Sequence, residues 1–437
     1  MACRLQEIPE PNDYVEFEIC DESILIVRQP DMSVKALFNA CRHRATQLAK
    51  GAGNIPDGVI VCPFHGWRWK ADGTPSFIYG AKGFTAECMR PDDIRLKECK
   101  VELWGGCVWI NLSADAGPLM DALQPAAKLL DDVDIDKLSV RYWKEVVLNC
   151  NWKIALEAFL EAWHVMQTHP QNTLGLGDRY APDLAEYKIF PNGHSCFEPK
   201  NVSDVNDLDS LIAMSRILFE CQEAMILERD LHILEGIRNK IGDGDRIHQV
   251  RIDAMREYFR GAGIPIKDGV EEHPIWWGGE VFVFPNFVML PMCGNALSYR
   301  VRPHNDDPEW CLFEVWSLTT QPESYPATRA HLDGRFDKDD NENWGLIPLQ
   351  DFGNLERQQR GMHSRSYQAH RLATVPAFSD VVPTPRRDTC VPIEPNELLK
   401  PRPGMRVARS LSSVTRSLSR RSCWIADTIT GTSRIDS

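Results

Sequence analysis

Two short motifs, Cys41-Arg42-His43 and Cys62-Pro63-Phe64-His65, restrict the fold of this chain more than any other feature. Each offers one thiol and one imidazole, so together they supply two sulfur and two nitrogen donors. A mixed set of that kind suits either tetrahedral zinc or a two-iron cluster with cysteines on one iron and histidines on the other. Structural zinc sites usually pair cysteine with cysteine and histidine with histidine at short spacing. Here Cys and His alternate within each half, which lets one of each from two adjacent loops reach a single cluster. The scaffold must therefore hold two loops side by side.

A second histidine pair lies further on. From Asn151-Trp152-Lys153 the chain runs through Glu157, Phe159, Glu161, Trp163 and His164 to Thr168-His169-Pro170. Ile154, Leu156, Phe159 and Leu160 fall at mixed three- and four-residue spacings, which predicts a mostly buried helix. Pro170 lacks a backbone donor, so the helix is expected to end near it. His164 and His169 do not share a face of a regular helix at about 100° per residue. They converge only if the helix loosens or widens after His164, a distortion often found at functional sites. Taken alone, the pair reads equally well as ligands or as ordinary histidines. Likewise, the acidic run Asp337-Lys338-Asp339-Asp340-Asn341-Glu342 reads by itself as a solvated loop.

Size and charge narrow the class. A chain of 437 residues suggests two domains with a core able to bury a deep pocket. Its 43% hydrophobic content is that of a soluble globular protein. No apolar run near the length of a membrane span is present, and no cleavable signal is visible. The net charge of −13 argues against nucleic acid and suits a cytosolic enzyme meeting redox partners. The 14 cysteines, apart from Cys41 and Cys62, are scattered singly, as small buried residues in a reducing compartment. From Tyr14 to about Leu112 apolar residues alternate between turn signals, predicting a small antiparallel β domain. A helical stripe from roughly Asp207 to Phe259 predicts packing helices, and strands are expected from Glu280 to Leu318.

With these motifs in view, the chain resembles the Rieske non-haem iron oxygenases, the large (α) subunits of aromatic-ring-hydroxylating dioxygenases, over about Glu7 to Met362. The resemblance rests on the Cys/His loops, on the Asn151-to-Pro170 segment, on Asp339-Asp340-Asn341-Glu342-Asn343-Trp344 and on Glu356-Arg357-Gln358-Gln359-Arg360-Gly361-Met362. It implies an α+β fold, with an antiparallel β Rieske [2Fe-2S] domain over 1–115, a linker over 116–140 and a helix-grip catalytic domain over 141–375. The remainder, 376–437, is Ser/Arg-rich from Arg402 and is expected to be a disordered tail unlike the family's C-terminus.

The resemblance also implies a site. Cys41, His43, Cys62 and His65 would hold the cluster. His164, His169 and the second of the paired aspartates, Asp340, with Asp339 as the fallback, would hold Fe(II) as a 2-His-1-carboxylate triad. Glu161, where the family commonly uses Asp, would link His65 of one subunit to His164 of the next. Ala158 departs from relatives that place an Asn beside the iron. The activity implied is a terminal oxygenase acting on an aromatic or polycyclic hydrophobe with O2. Its electrons would come from NAD(P)H through a reductase or ferredoxin. A cytoplasmic homotrimer, with or without a small β subunit and with no nucleic-acid or membrane partner, is expected. Two other readings stay open. One is a monooxygenase of a quaternary ammonium compound, since such relatives tolerate Glu at this point. The other is an electron carrier with the cluster alone, against which the His164/His169/Asp340 set argues. Phe336 is a candidate pocket wall, while Trp276 and Trp277 do not settle the substrate.

Overall fold

The computed structural model describes residues 1–173, 185–190, 192–200, 202, 207–326, 328–368, 370–372 and 391–393. They form two compact units, one of Met1–Asp121 with Pro326–His331, the other of Ala122–Tyr325 with the described residues from Leu332. Among the described residues no helix is long and apolar enough to cross a membrane. The Ser/Arg-rich tail from Arg402 lies outside the described residues.

The first unit is built from β1 (Cys3–Arg4), β2 (Asp13–Ile19), β3 (Glu22–Arg28), β4 (Val34–Phe38), β5 (Ala52–Asn54), β6 (Val59–Val61), β7 (Arg68–Lys70), β8 (Pro75–Phe77), the short helix α1 (Pro91–Ile94), β9 (Lys100–Trp104) and β10 (Cys107–Asn111). Three antiparallel sheets result, in the orders β4-β3-β2-β5, β6-β7-β8 and β1-β10-β9. The run Ile24-Leu25-Ile26-Val27 in β3 is apolar without interruption because both of its faces are covered. Ile24 and Ile26 pack with Phe17, Ile19 and Val108. Leu25 and Val27 pack on the other side with Leu37, Trp67, Trp69, Cys41 and Cys62. A strand buried on both faces loses its polar alternation.

Across the boundary runs α2 (Leu119–Leu123); the second unit continues with α3 (Ala126–Asp131), then β11 (Leu138–Leu148), α4 (Trp152–Glu157), α5 (Val165–Thr168), α6 (Pro170–Thr173), β12 (Ala185–Ile189) and β13 (Ser195–Pro199). Three longer helices follow, α7 (Leu208–Gln222), α8 (Glu228–Gly236) and α9 (Ile247–Gly261), where the helical stripe predicts them. The chain then returns through β14 (Glu280–Val283), β15 (Phe287–Met292), β16 (Asn295–His304), β17 (Asp307–Thr320), β18 (Gly334–Arg335) and α10 (Leu346–Met362). One sheet orders its strands β12-β13-β14-β15-β16-β17-β11-β18. Its pairings are antiparallel except the last, where β18 runs parallel to β11. The expected α+β class, antiparallel sheet with packed helices, is what forms.

Helices α4 and α10 lie against this sheet. Trp152, Ile154, Ala155, Leu156 and Phe159 share a core with Val288, Leu297, Val301 and Phe313 of the sheet and with Trp344, Phe352 and Leu355. Phe336 packs on the same core and meets Trp344 edge-on, ring centroids 6.1 Å apart. A charged row crosses the sheet beneath: Arg300, Glu314, Glu145 and Arg335 are register partners on β16, β17, β11 and β18. Arg300 Nε donates to Glu314 Oε2 at 2.7 Å, and Arg335 Nε to Glu145 Oε1 at 2.8 Å. Opposite signs at both ends compensate the two adjacent carboxylates in the middle.

The helix expected to run towards Pro170 stops at Glu157. Asn151 starts it, its Oδ1 accepting from Lys153 N at 3.0 Å. At its end Phe159 N and Leu160 N bond to Leu156 O and Glu157 O, a three-residue step that tightens and closes the turn. Glu161 then begins a new turn, its Oε2 accepting the N–H groups of Trp163 and His164. Pro170 opens α6 rather than ending α4, because a first-turn position needs no N–H.

Candidate metal centres

In the first unit the turn after β4 carries Cys41 and His43, and the turn between β6 and β7 carries Cys62 and His65. Both thiols are buried, while the His43 and His65 rings approach to 4.7 Å between centroids. Trp67 stacks on His43 at 4.9 Å and fixes its plane. Burial raises the pKa of both thiols. At Cys62 the N–H groups of His65 and Phe64 outweigh it and bring the value down; at Cys41 burial and the Cys62 sulfur win and hold it up. Burial and the neighbouring His65 and Arg44 charges push the His43 pKa down, which favours the neutral, ligating form of the ring. His43 Nδ1 is buried without a hydrogen-bond partner. A buried ring nitrogen without a hydrogen-bond partner beside two buried thiols fits a metal-ligand atom, and the donor set matches a [2Fe-2S] cluster.

In the second unit the break after α4 brings His164 and His169 together, with ring centroids 5.3 Å apart and planes at 78°. His169 and Asp351 are both buried, and His169 Nε2 lies 3.0 Å from Asp351 Oδ1. His164 Nε2 is 4.0 Å from the same oxygen. His164, His169 and Asp351 offer donor atoms that all lie within 4.8 Å of one another. The Nδ1 atoms point away from this centre and are held from behind. Glu161 Oε1 sits 3.0 Å from His164 Nδ1, and Gln350 Oε1 lies 2.8 Å from His169 Nδ1. Gln171 in turn donates to Gln350 Oε1 at 2.9 Å. Backing partners of this kind fix the tautomer that leaves Nε2 free to ligate. Burial opposes charge on His164, but the Glu161 carboxylate outweighs it and raises the pKa. A buried carboxylate facing two Nε2 atoms fits a divalent iron of the 2-His-1-carboxylate type.

Asp340 does not join this group, which corrects the register expected from the paired aspartates. Its carboxylate accepts from Glu342 N, Asn343 N and Asn343 Nδ2 at 2.9, 3.0 and 2.9 Å, shaping the turn before α10. Those bonds, Asn343 foremost, hold its pKa low. Asp339 is exposed and pairs with Lys338. The acidic run thus serves a turn, and the carboxylate at the histidines comes one helix later. A signal for it was present: Ile347, Asp351, Leu355 and Gln359 form the buried stripe of α10, so an Asp occupies a core position.

Strands β12 to β14 add a wall that the motifs did not indicate. Tyr187, Phe197 and Glu280 are successive register partners, so their side chains share a face. Tyr187 stacks on Trp163 at 5.5 Å, and its hydroxyl accepts from Ala162 N at 3.2 Å. Burial, and then the charge of Glu161, hold the Glu280 carboxyl well above the usual carboxylate range.

The two centres define a class of protein, one that combines Cys/His cluster loops with a largely buried two-histidine, one-carboxylate site. The family model for the ring hydroxylating alpha subunit (catalytic domain) matches residues 135–382, and that for the Rieske [2Fe-2S] domain matches residues 1–80. The chain therefore belongs to the ring hydroxylating alpha subunit family, with a Rieske [2Fe-2S] domain ahead of the mononuclear-iron catalytic domain. It is 31% identical to the carnitine monooxygenase oxygenase subunit of Acinetobacter pittii (strain PHEA-2) over 169 residues, 38% of this chain and 44% of the relative. Identity is 30% to the 2-aminobenzenesulfonate 2,3-dioxygenase subunit alpha of Alcaligenes sp, over 45% of this chain and 50% of the relative. The large oxygenase component of the naphthalene 1,2-dioxygenase system of Pseudomonas putida is 32% identical over 42% of each chain. The chain thus spans half or less of the length of these curated relatives. Among solved structures, the quaternary ammonium Rieske monooxygenase CntA with L-carnitine superposes with a TM-score of 0.54, at 19% identity over 84% of this chain and 78% of that one. Naphthalene 1,2-dioxygenase from Rhodococcus sp. bound to indole gives 0.55 at 20% identity, over 83% and 77%.

Proposed function

We propose that this chain is the large subunit of a terminal oxygenase that hydroxylates an aromatic or polycyclic hydrophobic compound with O2. Its electrons would be drawn from NAD(P)H through a reductase or ferredoxin. The observation that carries the reading is the His164/His169/Asp351 group, with His169 and Asp351 buried, in a chain that also holds the Cys41/His43/Cys62/His65 loops. When bound, a Rieske cluster supplies single-electron transfer and a ferrous iron supplies dioxygen activation. The protein's own part is positional. His164, His169 and Asp351 are the three ligands proposed for the iron, and three protein donors leave further positions for small molecules. Glu161 and Gln350 hold the imidazoles in the ligating tautomer. Phe159, Tyr299, Phe313 and Phe352 pack ring against ring at 4.7 to 5.6 Å in the core on which α4 and α10 rest. Glu161 keeps its side chain about one-third exposed while holding His164, leaving room to accept a bond from His65 of another copy. That bridge implies a closed ring of subunits, and the reading extends to a cytoplasmic trimer, with or without a small β subunit.

Oxidation of a quaternary ammonium compound is the second reading, favoured by Glu rather than Asp at position 161 and by the 31% identity to a carnitine monooxygenase subunit. Oxygen uptake and product analysis with a surrogate reductase decide between them. Coupled turnover of naphthalene-like compounds without turnover of carnitine or choline supports the first, and the reverse result overturns it.

A further inference from the structure

The sheet β6-β7-β8 has one face turned to the core and one turned out. Ile60 and Trp69 are register partners on the buried side. On the opposite side Val61, Arg68 and Phe77 are successive partners across the three strands. That side is open: Val61 is 44% and Phe77 49% exposed. Lys70, two residues along β7 from Arg68, shares its face and is also exposed. The Arg68 guanidinium lies over the Phe77 ring at 5.4 Å, and Arg44 lies over Phe64 at 5.7 Å. Phe64 and Tyr79 are 59% and 66% exposed and widen the apolar part. None of the three strands contains an acidic residue. An aromatic surface studded with cations is thus set on a chain of net charge −13.

We propose that this face is the docking surface for an acidic protein that donates single electrons, such as a small iron–sulfur carrier. The inference rests on the cluster reading above. Charge complementarity selects the partner: Arg68 and Lys70 attract and orient an acidic surface, and the absence of carboxylates from the three strands limits the repulsion that acidic residues elsewhere on the chain exert. Arginine and exposed aromatic rings are also the side chains that carry binding energy at interfaces. Position selects the role. Val61 is bonded directly to Cys62, so a protein seated on Val61 stands one residue from a cluster ligand. One electron leaves the donor's reduced centre and is taken up by the oxidised cluster, with no bond made or broken. The His65 ring, committed under the proposed function to another copy's Glu161, borders this patch at Phe64, 4.0 Å between ring centroids.

The test uses the full-length holoprotein and a plant-type [2Fe-2S] ferredoxin as probe. Calorimetry follows binding at rising salt, and anaerobic stopped-flow follows cluster reduction. Wild-type affinity falls as salt is added. Arg68→Glu combined with Lys70→Glu weakens binding on the order of tenfold or more and flattens the salt dependence. The cluster spectrum, reduction by dithionite and mass in solution stay as in wild type. Phe77→Ser weakens binding but keeps the salt dependence. Unchanged affinity and salt slope in the double variant, or wild-type binding indifferent to salt, overturn the proposal. So does a double variant of smaller mass, which would assign the face to a second copy of the chain. A wild-type protein with no Rieske spectrum sinks the cluster reading instead, before any ferredoxin is added.

Discussion

At the scale of single residues, Asp351 and Asp340 make opposite use of the same side chain. Asp351 sits on a core stripe with two imidazoles as its polar neighbours, a costly place for a carboxylate unless a cation completes it. Asp340 is satisfied by three local donors and has no such need. Asp351→Ala is therefore expected to lose the iron held outside the cluster and to abolish turnover, while the Rieske spectrum persists. Asp340→Ala keeps that iron. Metal analysis beside paramagnetic resonance checks both, and iron loss confined to Asp340→Ala would restore the register of the paired aspartates. Legibility at this scale followed locality. The Cys/His loops were readable because each motif is a few residues long and its spacing is its geometry. The convergence of His164 with His169 was readable as a need for a broken helix. Asp351 was harder to read, its one signal being a place on the apolar stripe of α10, because it reaches the histidines through tertiary packing and the acidic run nearer in sequence looked more ligand-like.

At the scale of elements, charged groups buried in α4 and in the sheet set the stability. Glu157 lies near the end of α4, and its carboxyl is pushed up to about 7 by burial, with Lys153 only partly opposing this. Below pH 4.5, its ordinary value, the folded and unfolded chains both carry the proton. Between there and about 7 the folded chain binds it more tightly, so stability falls as pH rises through that window, by about 3 kcal/mol in all. Glu157→Gln removes this loss. Urea unfolding at about pH 5 and about pH 8 should show the variant gaining on wild type at the higher pH, and parallel curves would refute the assignment. The row Arg300-Glu314-Glu145-Arg335 is the sheet's counterpart. Glu314→Ala removes the carboxylate that faces the buried Arg300 guanidinium and is expected to cost about 3–5 kcal/mol in the same assay. Such rows were illegible in the sequence, since a strand's alternation shows which residues share a face but not which strand lies beside it. Strand β3 was legible as a strand, but cover on both faces of its run Ile24-Leu25-Ile26-Val27 was not, because it depends on which elements pack over each side.

At the scale of the whole molecule, the proposed function turns on Glu161. Its carboxylate takes the N–H groups of Trp163 and His164 and the ring of His164, which ties the iron ligand to the start of a new turn. Ala162 N is held at the same point by the Tyr187 hydroxyl, so the segment from Glu161 to His164 is clamped from two sides. If the exposed edge of Glu161 also accepts a bond from His65 of another copy, one side chain orients a ligand of each centre. Glu161→Gln keeps the shape but weakens the charge-assisted hydrogen bonds. Both centres should then stay loaded, and the mass in solution should remain that of the wild-type assembly. Electron transfer between the centres should slow greatly, by about 10- to 100-fold if the bridge behaves as other groups that back metal ligands do. A single-turnover experiment reads this directly: pre-reduced protein is mixed with oxygen and substrate while loss of the reduced cluster is followed. Oxidation at the wild-type rate in Glu161→Gln, or full activity in a monomer, would leave Glu161 as a cap for its own turn and would remove the reason for a ring of subunits.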